Sequence, residues 1–200
     1  MSDSTSIFLI RHGQTEFNLE GRYQGQMDSP LTKTGRRQAS SNGRLLANLI
    51  PDIEAYKIVA SPLGRTMHTA KLICAELGVG AERIEPDGRL VEHGYGEWEG
   101  LLRDQIATER RSEWEAREAD LWDYVIPGGE SYRMVAERAK SWLDEVRSDK
   151  TPDKLIVISH GATGQVLRVL YTGIEPTTIR SLETPQDGFF LLEGGGVTRY

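Results

Sequence analysis

Residues 7–13, Ile7-Phe8-Leu9-Ile10-Arg11-His12-Gly13, and residues 155–161, Leu155-Ile156-Val157-Ile158-Ser159-His160-Gly161, share one plan: four apolar residues, one polar residue, then His-Gly. A continuous apolar run of strand length leaves no face for water, so each reads as a strand buried on both sides, the kind found in parallel sheets. A third run, Tyr56 to Ala60, meets Ser61-Pro62, a capping residue followed by a proline suited to the first helical position. This predicts a helix from Pro62 to Leu77. In open α/β sheets, ligands sit beyond the carboxyl ends of the strands. His12, Arg65 and His160 all fall just past such ends, so three segments far apart in sequence are expected to converge on one crevice.

Further helices are predicted at Lys33 to Leu49, interrupted by Gly35 and Gly43, at Arg103 to Asp120, at Glu130 to Arg147, and from Gly161 to about Tyr171. Gly188 to Leu192 and Val197 to Tyr200, around Gly194-Gly195-Gly196, read as a hairpin. Alternating strands and helices predict an α/β fold: a three-layer α/β/α sandwich with a mainly parallel central sheet, an antiparallel edge and a small helical cap. The 200 residues, 38% hydrophobic, can form a single domain, residues 1–200, without disulfide or metal staples.

The composition narrows function. A formal charge of -6 argues against nucleic acid as a partner, although residues 7–37 carry five cations against three acids, enough for a local anion site. No apolar run approaches the roughly 20 residues of a membrane-spanning helix. The single cysteine, Cys74, cannot form an intramolecular disulfide, and residues 1–6 show no signal-peptide pattern; a cytoplasmic protein, monomer or homodimer, is expected. The four histidines lack the paired spacing of a zinc centre, so no metal is expected.

A neutral imidazole can attack phosphorus, dividing ester cleavage into two easier transfers, and guanidinium forks can hold the equatorial oxygens. His12 is the candidate nucleophile, with Arg11 and Arg65 as the forks. A cation in the first turn of a helix is disfavoured by the macrodipole, so Arg65 implies an anion beside it. The amides of Gly161 and Ala162, at the next helix start, are candidate phosphate donors, with His160 as another. Glycine at 13 and 161 is expected to let backbone approach the ligand. A carboxyl must protonate the leaving group and then deprotonate water. Residues 89–100 (RLVEHGYGEWEG) hold three candidates, Glu92, Glu97 and Glu99, and the pattern alone does not choose among them. His68 reads as a packed or polar helix residue, His93 as a pocket or loop residue, Cys74 as core, Trp114, Leu121 and Trp122 as packing, and Glu109 to Asp120 as a solvated helix with internal ion pairs.

The run Leu9 to Asn18 (LIRHGQTEFN) resembles the signature of the histidine phosphatase superfamily, which includes the cofactor-dependent phosphoglycerate mutases. The likeness continues through Gln24-Gly25, Asp28 to Gly35 (DSPLTKTG), Ser61 to Ala70 (SPLGRTMHTA), Leu90 to Gly100, Pro127 to Ser131 (PGGES) and Ser159-His160-Gly161. The resemblance implies a phosphohistidine at His12, with Arg11, Arg65 and His160 around the phosphate. It singles out Glu92 as proton donor, and by the same matching makes Asn18, Gln24 and Gly25 phosphate or substrate contacts and Tyr95 a pocket wall. Two departures from the mutase pattern stand out. Only 26 residues, 101 to 126, separate Gly100 from Pro127, where those mutases carry a longer insertion; the sequence also ends at Tyr200, without their covering tail. An open site favours water as acceptor. A phosphatase of a small phosphorylated metabolite, needing no cofactor, is therefore preferred over a mutase primed by 2,3-bisphosphoglycerate. Arg110-Arg111 speaks for the mutase, because an Arg pair helps bind the carboxylate-bearing substrate there. A catalytically silent phospho-ligand sensor is the third reading, opposed by the presence of all five catalytic residues, His12, Arg11, Arg65, Glu92 and His160.

Overall fold

A computed structural model describes residues 5–148 and 154–200. The two apolar runs form β1 (Ser6–Arg11) and β4 (Lys154–Ser159), paired in parallel with Ile10 opposite Ile158 and Arg11 opposite Ser159. That register brings the two His-Gly turns out side by side. The other strands are β2 (Lys57–Ala60), β3 (Ile84–Pro86), β5 (Phe189–Glu193) and β6 (Gly196–Arg199). The sheet order is β3-β2-β4-β1-β5-β6, with the first four strands parallel and β5 and β6 antiparallel.

Side chains of β1 alternate between two cores. Ile7 and Leu9 join the face covered by α6 (Tyr132–Ser148) and α7 (Gly161–Thr172), with Trp142, Leu143, Val166 and Leu167. Phe8 and Ile10 join the face covered by α2 (Lys33–Leu49) and α3 (Gly64–Leu77), with Leu46, Ile73 and Cys74. Burying both faces of one strand, at about 1.5–3 kcal/mol for each large apolar side chain, fixes β1 at the centre of three layers.

Helix α2 has the expected limits, and its glycines have packing causes. A Cβ on Gly43 would lie 2.8 Å from the Glu76 Cβ and 3.1 Å from the Ile73 Cα, so α3 crosses there at close range. A Cβ on Gly35 would collide with the Gln14 carbonyl. Helix α3 starts later than the sequence predicts, at Gly64 with Leu63 in the capping position. Its cap comes from a distant residue: the Asp28 carboxylate accepts the amides of Gly64 and Arg65. Asp28 is thus the anion that the first-turn arginine implied.

Two further corrections concern short elements. The predicted helix 103–120 is two helices, α4 (Arg103–Glu109) and α5 (Arg111–Ala119), broken at Arg110, whose φ and ψ are -123° and 41°. The break lets Ile106 of α4 and Trp114 of α5 both pack against the buried Trp98. Helix α1 (Glu16–Glu20) was not predicted; it is one turn long, closed by a capping box between Thr15 and Asn18. No helix among the described residues is long and apolar enough to cross a membrane.

Candidate active site

His12 leaves the end of β1 with its amide bonded to the Ser159 carbonyl (3.0 Å) and its ring 2% exposed. Its Nδ1 lies 2.8 Å from the Gly13 carbonyl, an acceptor only, so Nδ1 carries the proton and Nε2 keeps a lone pair. Burial and the charges of Arg65 and Arg11 hold its pKa well below the ordinary histidine value. The ring is therefore neutral, with an unprotonated Nε2 whose lone pair accepts the Nε–H of Arg65.

Arg65 surrounds this nitrogen. Its Nε–H lies 3.2 Å from His12 Nε2; Nη2 donates to the Gly25 carbonyl at 2.6 Å, and Nη1 to the Met27 carbonyl at 2.8 Å and Asp28 at 3.2 Å. The positive φ of Gly25, 54°, turns its carbonyl into this network. Arg11 donates through Nη1 to the backbone and hydroxyl oxygens of Thr184 (2.7 and 3.2 Å), and its buried Nε has no partner. Desolvation lowers the pKa of both arginines, opposed by the negative charge of Glu92.

The ring of His160 lies 5.2 Å from that of His12, centroid to centroid. Its Nε2 is 2.8 Å from the Ser61 hydroxyl, and Ser61 Oγ itself accepts the Leu63 amide. In the tautomer in which Ser61 donates to Nε2, the proton of the imidazole lies on Nδ1. That buried nitrogen has no partner. Burial, Arg65 and His12 keep His160 neutral. Gln24 repeats the arrangement: its Oε1 accepts the Thr15 hydroxyl at 2.9 Å, while its buried Nε2 is unpaired. Three donors without partners thus belong to residues grouped around His12, each costing about 1–3 kcal/mol unless an acceptor meets it. A tetrahedral oxyanion has the acceptor oxygens to do so.

Of the three candidate carboxyls, only Glu92 lines this cleft. It is 9% exposed and accepts the amides of His93 (3.0 Å), Ala162 (3.2 Å) and Thr163 (3.0 Å). Arg138 fixes the backbone beneath it by donating to the carbonyls of Arg89, Val91 and Glu92. Glu97 pairs with Arg110 at 2.8 Å, and Glu99 accepts the amides of Gln26, Met27 and Tyr95. The Ala162 amide is therefore occupied by Glu92 and is not an open phosphate donor, contrary to the sequence reading. Gly161 lies against Arg11: a Cβ there would be 3.5 Å from the guanidinium. The bare face of Gly13 meets the backbone of Gly35.

The cleft has a volume of about 450 Å³, and Asn18, Gln24, Gly25 and Tyr95 all line it. Tyr95 packs edge-on to Tyr23 at 4.7 Å, and burial raises its phenol pKa well above the usual value. Arg22, Arg103 and Gln186 also line the cleft and were missed. Gln186 donates to the His12 carbonyl (3.2 Å) and to Asn18 Oδ1 (3.0 Å), tying the loop before β5 to His12. Arg110 and Arg111 are not in the cleft wall; they pair with Glu97 and Glu113, and with Glu115. His68 is exposed in a separate hollow, and His93 is buried between Tyr95 and Tyr132. Arg117 departs from the solvated-helix reading: it is buried over the Trp98 ring.

A buried neutral histidine ringed by guanidinium groups at the end of a parallel sheet defines a site for phosphoryl chemistry. The chain belongs to the histidine phosphatase superfamily (branch 1), whose sequence profile matches residues 7–195. It is 34% identical over 155 residues to an acid phosphatase of Mycobacterium tuberculosis, covering 78% of this chain and 70% of that one. It is also 34% identical over 188 residues to a 2,3-bisphosphoglycerate-dependent phosphoglycerate mutase of Beijerinckia indica, covering 88% and 86%. Among solved structures, a mycobacterial glucosyl-3-phosphoglycerate phosphatase in complex with VO3 superposes with a TM-score of 0.81 at 27% identity, covering 98% of this chain and 96% of that one.

Proposed function

We propose that the chain is a phosphomonoesterase acting on a phosphorylated metabolite through a phosphohistidine at His12, without metal or cofactor. The observation that carries this reading is the neutral His12 Nε2 beside Arg65, with unpaired donors on Arg11, Gln24 and His160. In the first step Nε2 attacks phosphorus and the bond to the alcohol oxygen breaks; Glu92, in its protonated form, gives the alkoxide a proton. The Nδ1–H bond to Gly13 supports the charge that develops on the ring. In the second step water attacks the phosphohistidine, loses a proton to the Glu92 carboxylate, and the P–N bond breaks, restoring His12. Arg11, Arg65 and His160 hold the equatorial oxygens through both steps.

A mutase, primed by 2,3-bisphosphoglycerate, is the second reading, favoured by the Beijerinckia relative. Against it stand the short cap and the arginine pair turned to glutamates outside the cleft. A silent sensor would have no need of both His12 and Glu92 in working positions. Phosphate release from a panel of phosphomonoesters in excess chelator tests the proposal. Wild type is expected to release phosphate and His12→Ala to release none; inactivity of wild type on every ester, with rapid isomerisation of phosphoglycerate, would give the mutase reading instead.

A further inference from the structure

We propose that Arg168, on α7 and outside the wall of the catalytic cleft, is a positioning residue for Arg11 that acts through the Glu183–Thr184 peptide. This rests on the reading of Arg11 as a holder of the phosphoryl group and adds to it a residue that touches no substrate. Residues 182–188 (LETPQDG) join the short helix Pro176–Ser181 to β5 without helix or strand of their own. From 183 to 188 no backbone–backbone hydrogen bond ties the segment to another described residue. Side chains hold it instead. Gln165 Nε2 donates to the Leu182 carbonyl (2.6 Å), Arg168 Nη2 to the Glu183 carbonyl, Arg11 Nη1 to the Thr184 carbonyl (2.7 Å), and Asn42 Nδ2 to the carbonyls of Gln186 (3.2 Å) and Gly188 (3.4 Å).

Arg168 is 5% exposed, with its guanidinium 4.1 Å over the Phe190 ring, and its acceptors among the described residues are the carbonyls of Gly164 and Glu183; the Glu183 carboxylate pairs with Arg199 instead. An apolar side chain of that length would avoid the cost of burying the charge, so the packing of α7 does not by itself account for an arginine here. The bond to Glu183 does. The Glu183 carbonyl and the Thr184 amide belong to one planar peptide unit, so a donor on the carbonyl sets the plane that leads into Thr184. Pro185 follows, and a residue before proline is confined to extended backbone, so little freedom separates that plane from the Thr184 carbonyl. The carbonyl and hydroxyl of Thr184 are the partners of the Arg11 guanidinium and set where its unpaired Nε points. Packing does less: a cavity of about 20 Å³, lined by Leu9, Arg11, His160, Arg168, Thr184 and Phe190 among others, leaves one side of Arg11 without van der Waals support. Loss of the Arg168 bond therefore frees Thr184, and Arg11 with it, while Asn42 keeps the Gln186 end of the segment in place.

Vanadate, a phosphate mimic whose binding needs no turnover, is the probe, with Kd read by calorimetry. Arg168→Met keeps the length of the side chain and removes its donors, so Kd is expected to rise about tenfold. The urea midpoint should stay close to that of wild type, because a buried charge is gone and the freed carbonyl, on the exposed Glu183, can turn to water. Arg168→Lys, with one ammonium in place of the fork, should raise Kd by a smaller factor, about threefold. The deciding comparison is a double-variant cycle: in an Arg11→Met background, Arg168→Met should change Kd by less than about twofold, since the residue it positions is absent. Should Arg168→Met not fold, Arg168→Lys carries the same cycle. An unchanged Kd in the single variant, or an equal rise in both backgrounds, overturns the proposal while leaving the phosphoryl site standing. If wild type binds no vanadate, the phosphoryl reading itself fails, and the Nε–H resonance of Arg11, assigned by its loss in Arg11→Lys, decides the positioning: a shifted resonance in Arg168→Met supports it and an unmoved one overturns it.

Discussion

Gln24→Glu is nearly isosteric, and the structure assigns it opposite effects on stability and on ligand binding. The wild-type side chain uses its oxygen on Thr15 and leaves a buried Nε2 without an acceptor. A carboxylate keeps the Thr15 bond, removes the orphan donor and enters a cleft lined by four arginines and one glutamate. Burying a lone carboxylate costs several kcal/mol, but attraction to the guanidinium groups, about 3 kcal/mol per pair at 5 Å and an effective dielectric constant of 20, offsets this. Relief of the orphan donor, about 1–3 kcal/mol, then decides the sign. The ligand-free variant should melt about 2–12 °C above wild type, at about 2–4 °C per kcal/mol for a chain of this size. Phosphate should behave conversely. At a hundred times its Kd it stabilises wild type by about 2.7 kcal/mol, whereas the variant loses one charge-assisted hydrogen bond and gains a like charge, weakening Kd by about a hundredfold or more. Thermal unfolding with and without phosphate reads both effects. A variant that melts below wild type and still responds fully to phosphate would refute the assignment of the orphan donors to an oxyanion.

Burial pushes the His93 imidazole down to about 4, so below its unfolded value of about 6.5 the unfolded state takes up a proton that the folded state refuses. Stability should therefore fall as pH drops from about 6.5 to 4, by about 3 kcal/mol from this residue; urea unfolding of His93→Phe should show a flatter dependence, and equal slopes would count against the buried neutral ring. Ser61→Ala removes the partner of His160 Nε2: kcat should drop about tenfold, because the Nδ1 proton is no longer assigned, and the buried nitrogen left unpaired should lower the melting temperature by about 2–12 °C. Rescue by Ser61→Thr, which restores a hydroxyl, separates this role from packing. Gly35→Ala pits about 1 kcal/mol of helix propensity against a collision with the Gln14 carbonyl, which is backbone and cannot swing away. Overpacking wins, so stability should fall by about 1–3 kcal/mol, and activity with it, since Gln14 lines the cleft.

The strand ends were readable because their information is local: an apolar run states burial on both faces, and the residues just past its end lie at the sheet's edge. Hence His12, Arg65 and His160 could be brought together from sequence, and helix α2 placed to the residue. The misses depend on contacts between distant loops. Nothing local to Asp28 says that it caps α3, so Ser61 read as the cap when its hydroxyl serves His160 instead. The same holds for Ala162, whose amide was free by local rules and is taken by a carboxylate 70 residues away. Gln186 and Arg103 carry no motif; they enter through the loop before β5 and the backbone pairing of residues 100–102 with residues 22–23.

The way the two central arginines are satisfied explains how an acidic chain keeps a positive site. Buried guanidinium groups need acceptors, and carboxylates would supply them while cancelling the charge. Here Arg65 directs two donors to the carbonyls of Gly25 and Met27, and Arg11 directs its partnered nitrogen to Thr184, all neutral oxygens. Asp28, the single acid on Arg65, is half-exposed, so solvent screens much of its charge. The positive potential therefore remains directed at His12, where it has two consequences. Together with burial it keeps the imidazole unprotonated, and under the proposed mechanism it holds the electrostatic stabilisation in reserve for the phosphoryl group that this imidazole would attack. A carboxylate in place of either neutral acceptor would raise the His12 pKa and weaken phosphate binding together, so the neutrality of these partners is itself part of the catalytic design.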